Sequence, residues 1–308
     1  MCGRFAQNFD SETVQQEFSH RNVRLSEDKS SDLNFSKHYN VSPTHQTPVY
    51  HDSHLQNMKW GLIPFWTKDF KKATPWKTFN ARTETLNESR LWKPSLNHHR
   101  CVVPVSGYYE WLTVKGQKVP YFICRKDKKV MFLAGLFDVL KHGKDSNENE
   151  QEGQEELWTF TIVTGPAPEN LKWLHDRMPV VLEPNSEGWN TWLDSTKDSW
   201  TQKEVDEQLQ TVYNEKEYEC YKVPQEVGKV QNNEKRLMEP VKQEGKIDSF
   251  FKRKTKVSPS ISPKKESESV NSAANDSRIK REHDNIGKGN VDDVSDSPPS
   301  KRVKREPK

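Results

Sequence analysis

Little in this chain suits a membrane span, a metal centre or a disulfide framework. Among its 308 residues no apolar run approaches the roughly 20 that a spanning helix needs. Cysteine is scarce: Cys2, Cys101, Cys124 and Cys220. No C-x-x-C pair occurs, and His98-His99-Arg100-Cys101 is too compact for a zinc site, so neither a metal nor a cofactor is expected. Neither an apolar leader nor an Arg/Ser-rich transit pattern precedes Met1-Cys2-Gly3-Arg4. Met1 is therefore expected to be the true start, and the cysteines to be free thiols in a reducing compartment. Apolar residues are few, at 31%, and charged ones many, at 30%, which implies a sizeable unfolded part. All ten tryptophans lie at or before Trp200, and after Val241 the only aromatics are Phe250 and Phe251. Residues 242–308 carry 17 cations and 11 anions, a net +6, which leaves −3 for 1–241. The reading is a folded domain over 1–241 and a disordered basic tail over 242–308. Nucleic-acid binding by the domain would need a local patch, because its overall charge is not basic.

What the chain does have begins at Cys2. The residue is small enough for Met1 to be removed. That would leave an α-amine titrating near pH ~8 and a thiol near ~8.5 on adjacent carbons. Such a 1,2-aminothiol can condense with an aldehyde, amine first and thiol second, into a five-membered thiazolidine. Alternatively the thiol can attack an acyl group. A cysteine there by accident of position is the third possibility.

Further along, Ser11 reads as the N-cap of a helix that buries Val14 and Phe18. Residues 22–37 read as a surface loop. Tyr39–Pro43 reads as a strand into a turn, and 48–50 with 55–60 as paired strands. Trp60-Gly61-Leu62-Ile63-Pro64-Phe65-Trp66 suits neither a helix nor a central strand. It is either a buried aromatic corner or a platform on which bases stack. Asn80 is placed to begin a helix containing Glu84 and Leu86, whose start is either an ordinary exposed one or one where Arg82 meets a phosphate. Residues 101–111 form a β run with Tyr109 and Trp111 on one side and Tyr108 and Glu110 on the other. Glu110 is either a half-exposed edge residue or a desolvated acid with a raised pKa. Lys115-Gly116 marks a hairpin turn, and strands follow at 119–124, 130–136 and 157–164. Residues 141–156 read as an acidic loop, and a short helix over 169–174 leads to His175-Asp176-Arg177-Met178-Pro179, where His175 can titrate near neutrality. Val180–Leu182 reads as a last core strand, 189–193 and 203–209 as helices, and 226–241 as the closing segment.

Six motifs occur in order: Met1-Cys2-Gly3-Arg4-Phe5, Tyr39-Asn40-Val41-Ser42-Pro43, Trp60-Gly61-Leu62-Ile63-Pro64, Phe79-Asn80-Ala81-Arg82-Thr83-Glu84, Ser106-Gly107-Tyr108-Tyr109-Glu110-Trp111 and His175-Asp176-Arg177-Met178-Pro179. Together they resemble the SRAP family, the SOS-response-associated peptidases, over roughly 1–241. The resemblance implies an α+β fold, largely antiparallel and barrel-like with flanking helices. It implies covalent capture of abasic sites in single-stranded DNA through Cys2, with Asn80, Glu110 and His175 as active-site polar residues. Arg4, Pro43, Trp66, Arg82 and Arg177 would line the DNA groove. In that setting Glu110 would assist sugar opening and Schiff-base formation, His175 would shuttle protons and promote slow reversal, and Asn80 would hold the α-amine. Two rivals remain: a thiol peptidase that removes Met1, and a non-covalent scaffold that shields single strands. A monomer is expected, working in the nucleus at replication forks and also in the cytoplasm.

The tail repeats an aliphatic-Lys-x-acidic pattern around Lys242, Lys280 and Lys304, similar to a SUMO acceptor site and so to a link with SUMO or ubiquitin machinery. Ser262-Pro263 resembles a proline-directed kinase site. Ile247, Phe250 and Phe251 resemble a sliding-clamp binding box, except that Glu244 stands at the usual glutamine position.

Overall fold

The computed structural model describes residues 2–26, 35–69, 72–142 and 155–241. The tail candidates Lys242, Ile247, Phe250, Phe251, Ser262, Lys280 and Lys304 lie outside the described residues, as do much of the 22–37 and 141–156 loops.

The fold is α+β and largely antiparallel, as the motif pattern implied. Five strands close into a barrel: β3 (Gln46–His51), β4 (His54–Trp60), β6 (Arg100–Val105), β9 (Met131–His142) and β10 (Glu155–Pro166). Its pairings are antiparallel except for β4 with β10, which run parallel. Closure leaves the barrel strands no open edge. Two short strands extend β10 towards the site, β5 (Asn80–Arg82) in parallel and β11 (Arg177–Pro179) antiparallel. A second, five-stranded sheet has the order β12 (Tyr218–Lys222), β8 (Gln117–Arg125), β7 (Gly107–Val114), β1 (Phe5–Gln7), β2 (His38–Val41).

Two large cores result. One lies under the helices α1 (Ser11–His20), α3 (Glu187–Leu193) and α4 (Gln202–Gln208), with Phe18, Phe132, Trp189 and Trp192 at its centre. The short α2 (Lys93–His98) contributes Leu96 to it. The other joins the barrel to the second sheet and holds Cys2, Phe5, Met58, Trp60, Tyr108 and Phe160. Trp60 is fully buried, packs on Phe5 at 4.8 Å and Phe160 at 6.2 Å, and donates its indole N–H to the Phe79 carbonyl at 2.8 Å. The segment 60–66 therefore divides: its first tryptophan is core, and Phe65 and Trp66 are exposed. Gly61 between them has φ +116°, and a Cβ there would lie 2.5 Å from Pro75, so both the conformation and the space demand glycine.

Four local expectations are corrected. The α1 N-cap is Asp10, not Ser11, because the Asp10 carboxylate accepts from the Thr13 N–H at 3.0 Å and its hydroxyl at 2.6 Å. Asn80 starts strand β5 rather than a helix: pairing with Ile162 on β10 overrides the local cap signal, and only a 3-10 turn follows at Thr83–Thr85. The helix expected over 169–174 is a 3-10 turn at Glu169–Leu171. The last barrel-edge strand is β11, ahead of Val180–Leu182, where only Val181 makes an isolated bridge to Leu133.

Candidate functional site

The site is built from β7 outward. Lys115 and Gly116 both adopt positive φ, 49° and 79°, the geometry of a tight two-residue hairpin. That turn fixes the β7–β8 register and sets Glu110 opposite Tyr121. Strand alternation then places Tyr109 and Trp111 against Ala6 and Phe122, while Tyr108 faces the core that holds Cys2. Glu110, two residues on, shares the Tyr108 face and is only 3% exposed. Burial raises its carboxyl from 4.5 to about 7 against the opposing pull of the chain's positive amino terminus. The edge-residue alternative is thereby excluded.

Cys2 lies just before β1, whose Phe5 pairs with both Tyr108 and Val41. The residue is fully buried. Burial, and next the Glu110 carboxylate, push the thiol well above its ordinary range, opposed by the amino-terminal charge and the Arg4 backbone N–H. Asn80, carried by β5, donates Nδ2–H to the Cys2 carbonyl at 2.7 Å. It thus fixes the residue through its carbonyl. The Asn80 Oδ1 is buried with no hydrogen-bond partner among the described residues.

His175 follows the 3-10 turn and precedes β11. Its Nδ1 accepts the Arg177 N–H at 3.0 Å and lies 2.7 Å from Asp176 Oδ1. Burial, then the amino-terminal charge, lower its pKa below 6.5. Cys2, Glu110 and His175 thus all feel the same amino-terminal charge. Three residues more than sixty positions apart are gathered at the start of the chain.

The residues expected to line a DNA groove have different surroundings. Arg82 is exposed on β5 and Pro43 is half-buried. Trp66 is 46% exposed and packs edge-on against Phe65 at 4.9 Å. Arg177 is 9% exposed; both its terminal nitrogens donate to Glu84, and Nη2 also donates to the Thr164 carbonyl at 2.6 Å. Glu84 is correspondingly held below the usual carboxylate range. Arg4 donates to Asn40 Oδ1 at 2.6 Å and the Val227 carbonyl at 2.8 Å, and its guanidinium lies over Trp111.

Sequence reasoning missed two features. The Tyr108 hydroxyl is buried with no hydrogen-bond partner among the described residues, in electrostatic reach of Cys2 and Glu110. Its period-two relation to Glu110 was the available signal. The Glu84–Arg177 pair joins residues 93 positions apart, and nothing local announces it. Among the described residues no group of His, Cys, Asp and Glu is arranged to hold a metal ion, and no helix is long and apolar enough to cross a membrane.

A buried thiol beside a carboxyl poised near neutrality, an imidazole and an amide defines a thiol site with its own acid–base groups. Comparison with known proteins identifies the family. Residues 1–230 match the family SOS response associated peptidase (SRAP). The chain is 38% identical over 266 residues to the "Abasic site processing protein YMR114C" of Saccharomyces cerevisiae, covering 79% of this chain and 69% of that one. It is 31% identical over 244 residues to the "Abasic site processing protein YoqW" of Bacillus subtilis, covering 78% and 99%. A crystal structure of a protein from Bacteroides thetaiotaomicron superimposes with a TM-score of 0.63 at 25% identity, covering 78% of this chain and all of that one. The chain belongs to the SRAP family.

Proposed function

We propose that this chain processes abasic sites in single-stranded DNA by forming a thiazolidine between Cys2 and the sugar aldehyde after Met1 is removed. Abasic-site processing is what the names of its relatives state of those proteins. The observation that carries the finer reading is the burial of the Cys2 thiol, which pushes it well above its ordinary range, beside a Glu110 carboxyl raised to about 7. A thiol peptidase needs a thiolate, and burial next to a carboxylate works against one. Ring closure has a different requirement, because a neutral thiol can add to an iminium if a base takes its proton.

Glu110 in its acid form protonates the ring oxygen of the closed sugar as it opens, and the carboxylate then recovers the proton from the hydroxyl at C1′ as the aldehyde forms. The Cys2 amine adds to C1′. Its nitrogen loses a proton, and the carbinolamine hydroxyl leaves as water with a proton from Glu110 or His175, giving the iminium. Sγ then bonds to C1′, the C=N bond becomes single, and the thiol proton passes to the Glu110 carboxylate. The net change is loss of one water. Asn80 holds the Cys2 carbonyl, and its unused Oδ1 is an acceptor for the α-amine. Exposed Arg82 supplies a phosphate contact, and Trp66 an apolar face to fill the gap left by the missing base. Removal of Met1 is the one peptide cleavage this reading requires.

The test uses the full chain and a single-stranded oligonucleotide bearing one abasic site, read on a denaturing gel. Wild-type protein should give a stable adduct. Cys2→Ser should leave only a Schiff base that needs borohydride reduction to be seen, since an oxygen ring closes less firmly. A serine variant with an equally stable unreduced adduct would overturn the thiazolidine. Binding that salt abolishes, with no covalent product, would favour a shielding scaffold.

A further inference from the structure

We propose that Trp173, Tyr121 and Lys222 form a subsite for one nucleotide next to the lesion, in which Trp173 stacks the base and Lys222 meets a phosphate. The inference rests on the reading that single-stranded DNA reaches Cys2. Strand register makes the case. Glu110 is paired with Tyr121 across β7 and β8, and Tyr121 with Lys222 across β8 and β12. Directly opposed residues point to one face of a sheet. The three side chains therefore form a row that leads outward from Glu110 in steps of about 4.8 Å. Tyr121 packs on the core that holds Cys2, which fixes the face.

Trp173 lies over this row. Its ring meets Tyr121 edge-on, with centroids 5.2 Å apart at 81°, and it stands two residues before His175. The indole is nonetheless 50% exposed. A tryptophan held by one aromatic neighbour and half open to solvent, at the lip of a site, is the form a base-stacking surface takes. Isolated apolar residues on a surface need no explanation. This one is singled out by its contact with Tyr121, which stands between an acid–base group and a cation in the sheet. Lys222 is exposed and has no ion-pair partner among the described residues. Lys172, beside Trp173 in sequence, is tied to Glu169 at 2.6 Å, and this leaves Lys222 for the phosphate. The occupant is thus a nucleobase with its own backbone charge. Stacking is indifferent to which base it is.

Two oligonucleotides test this on the full-length protein. Both carry one reactive abasic site. In one the neighbouring nucleotides have bases, and in the other they are tetrahydrofuran spacers without bases. Trp173→Ala should lower affinity and subsaturating adduct rate about ten-fold on the base-flanked strand, with a several-fold smaller loss on the spacer strand. Trp173→Phe should recover most of the difference. Lys222→Gln should weaken both strands alike and reduce the log–log salt slope by about 0.7, whereas Trp173→Ala should leave that slope in place. Equal losses of Trp173→Ala on the two strands, or none, would overturn the subsite. If wild-type protein crosslinked neither strand, the thiazolidine reading would fall. The subsite would then be judged on equilibrium binding of the same strands, where the same difference is expected.

Discussion

Arg100 and the Cys2 site both bury ionisable groups, yet they are treated in opposite ways. Arg100 is 7% exposed, and its nitrogens donate to five carbonyls, those of Leu96, Asn97, Trp192, Asp194 and Lys197. It staples α2 to the end of α3 and the turn beyond, and no donor is wasted. At the other centre Asn80 Oδ1 and the Tyr108 hydroxyl have no partner among the described residues, the thiol is pushed up, and Glu110 is held near neutrality. Every donor of the structural Arg100 is satisfied, whereas the Cys2 site keeps groups under electrostatic strain and holds them in well-packed surroundings.

That contrast can be broken by mutation. The largest expected effect is on chemistry: Glu110→Gln should slow adduct formation by roughly 10²–10⁴ with the fold intact, as read by single-turnover kinetics beside circular dichroism. Arg100→Met should do the reverse. It strands several buried carbonyls at about 1–3 kcal/mol each, so the midpoint of thermal unfolding should fall by roughly 10 °C, while the adduct rate per folded molecule holds. If Arg100→Met slowed the chemistry as much as Glu110→Gln does, the two centres would not be separable.

Next in size is a pH effect on stability. Folded Glu110 binds its proton more tightly, at about 7, than the unfolded side chain does at 4.5. Its contribution is therefore fully present below about pH 4.5 and is lost as pH rises through 7. The difference corresponds to about 3 kcal/mol. Denaturant unfolding between pH 5 and 8 should show wild-type protein losing stability from this group, and Glu110→Gln should lose less. At pH 8 the variant should be the more stable of the two. Identical pH profiles would show that the carboxyl is not held near neutrality. The smallest effect is that of Tyr108→Phe, which removes a buried hydroxyl lacking a partner and should leave stability equal or raise it by up to about 1 kcal/mol. A clear loss would reveal a partner for that hydroxyl.

The two centres also differ in how far sequence exposes them. Glu110 was legible because strand alternation is strict: a carboxylate between Tyr109 and Trp111 must share a face with Tyr108. Cys2 was legible from its chemistry and the six ordered motifs. The barrel hairpin at 48–60 and the Lys115-Gly116 turn follow from local pattern. What failed was local reasoning where a distant strand decides. Asn80 carries a helix-start signal, yet β10 recruits it into a strand. Asp10 outcompetes Ser11 for the cap by one position. The resemblance casts Arg177 as a DNA-groove residue, and only the fold shows that it is paired with Glu84. Of the five carbonyls around Arg100, those of Leu96 and Asn97 are local, but those of Trp192, Asp194 and Lys197 lie more than ninety positions away, and no spacing rule could have gathered them.

The central claim is tested most directly by the intact mass of the complex between purified full-length protein and a single-stranded oligonucleotide with one abasic site. The account predicts free protein without Met1. It predicts a covalent product equal to protein plus oligonucleotide less one water, stable without reduction and absent with Cys2→Ala. A product that forms on protein still bearing Met1, or that persists in Cys2→Ala, would contradict it.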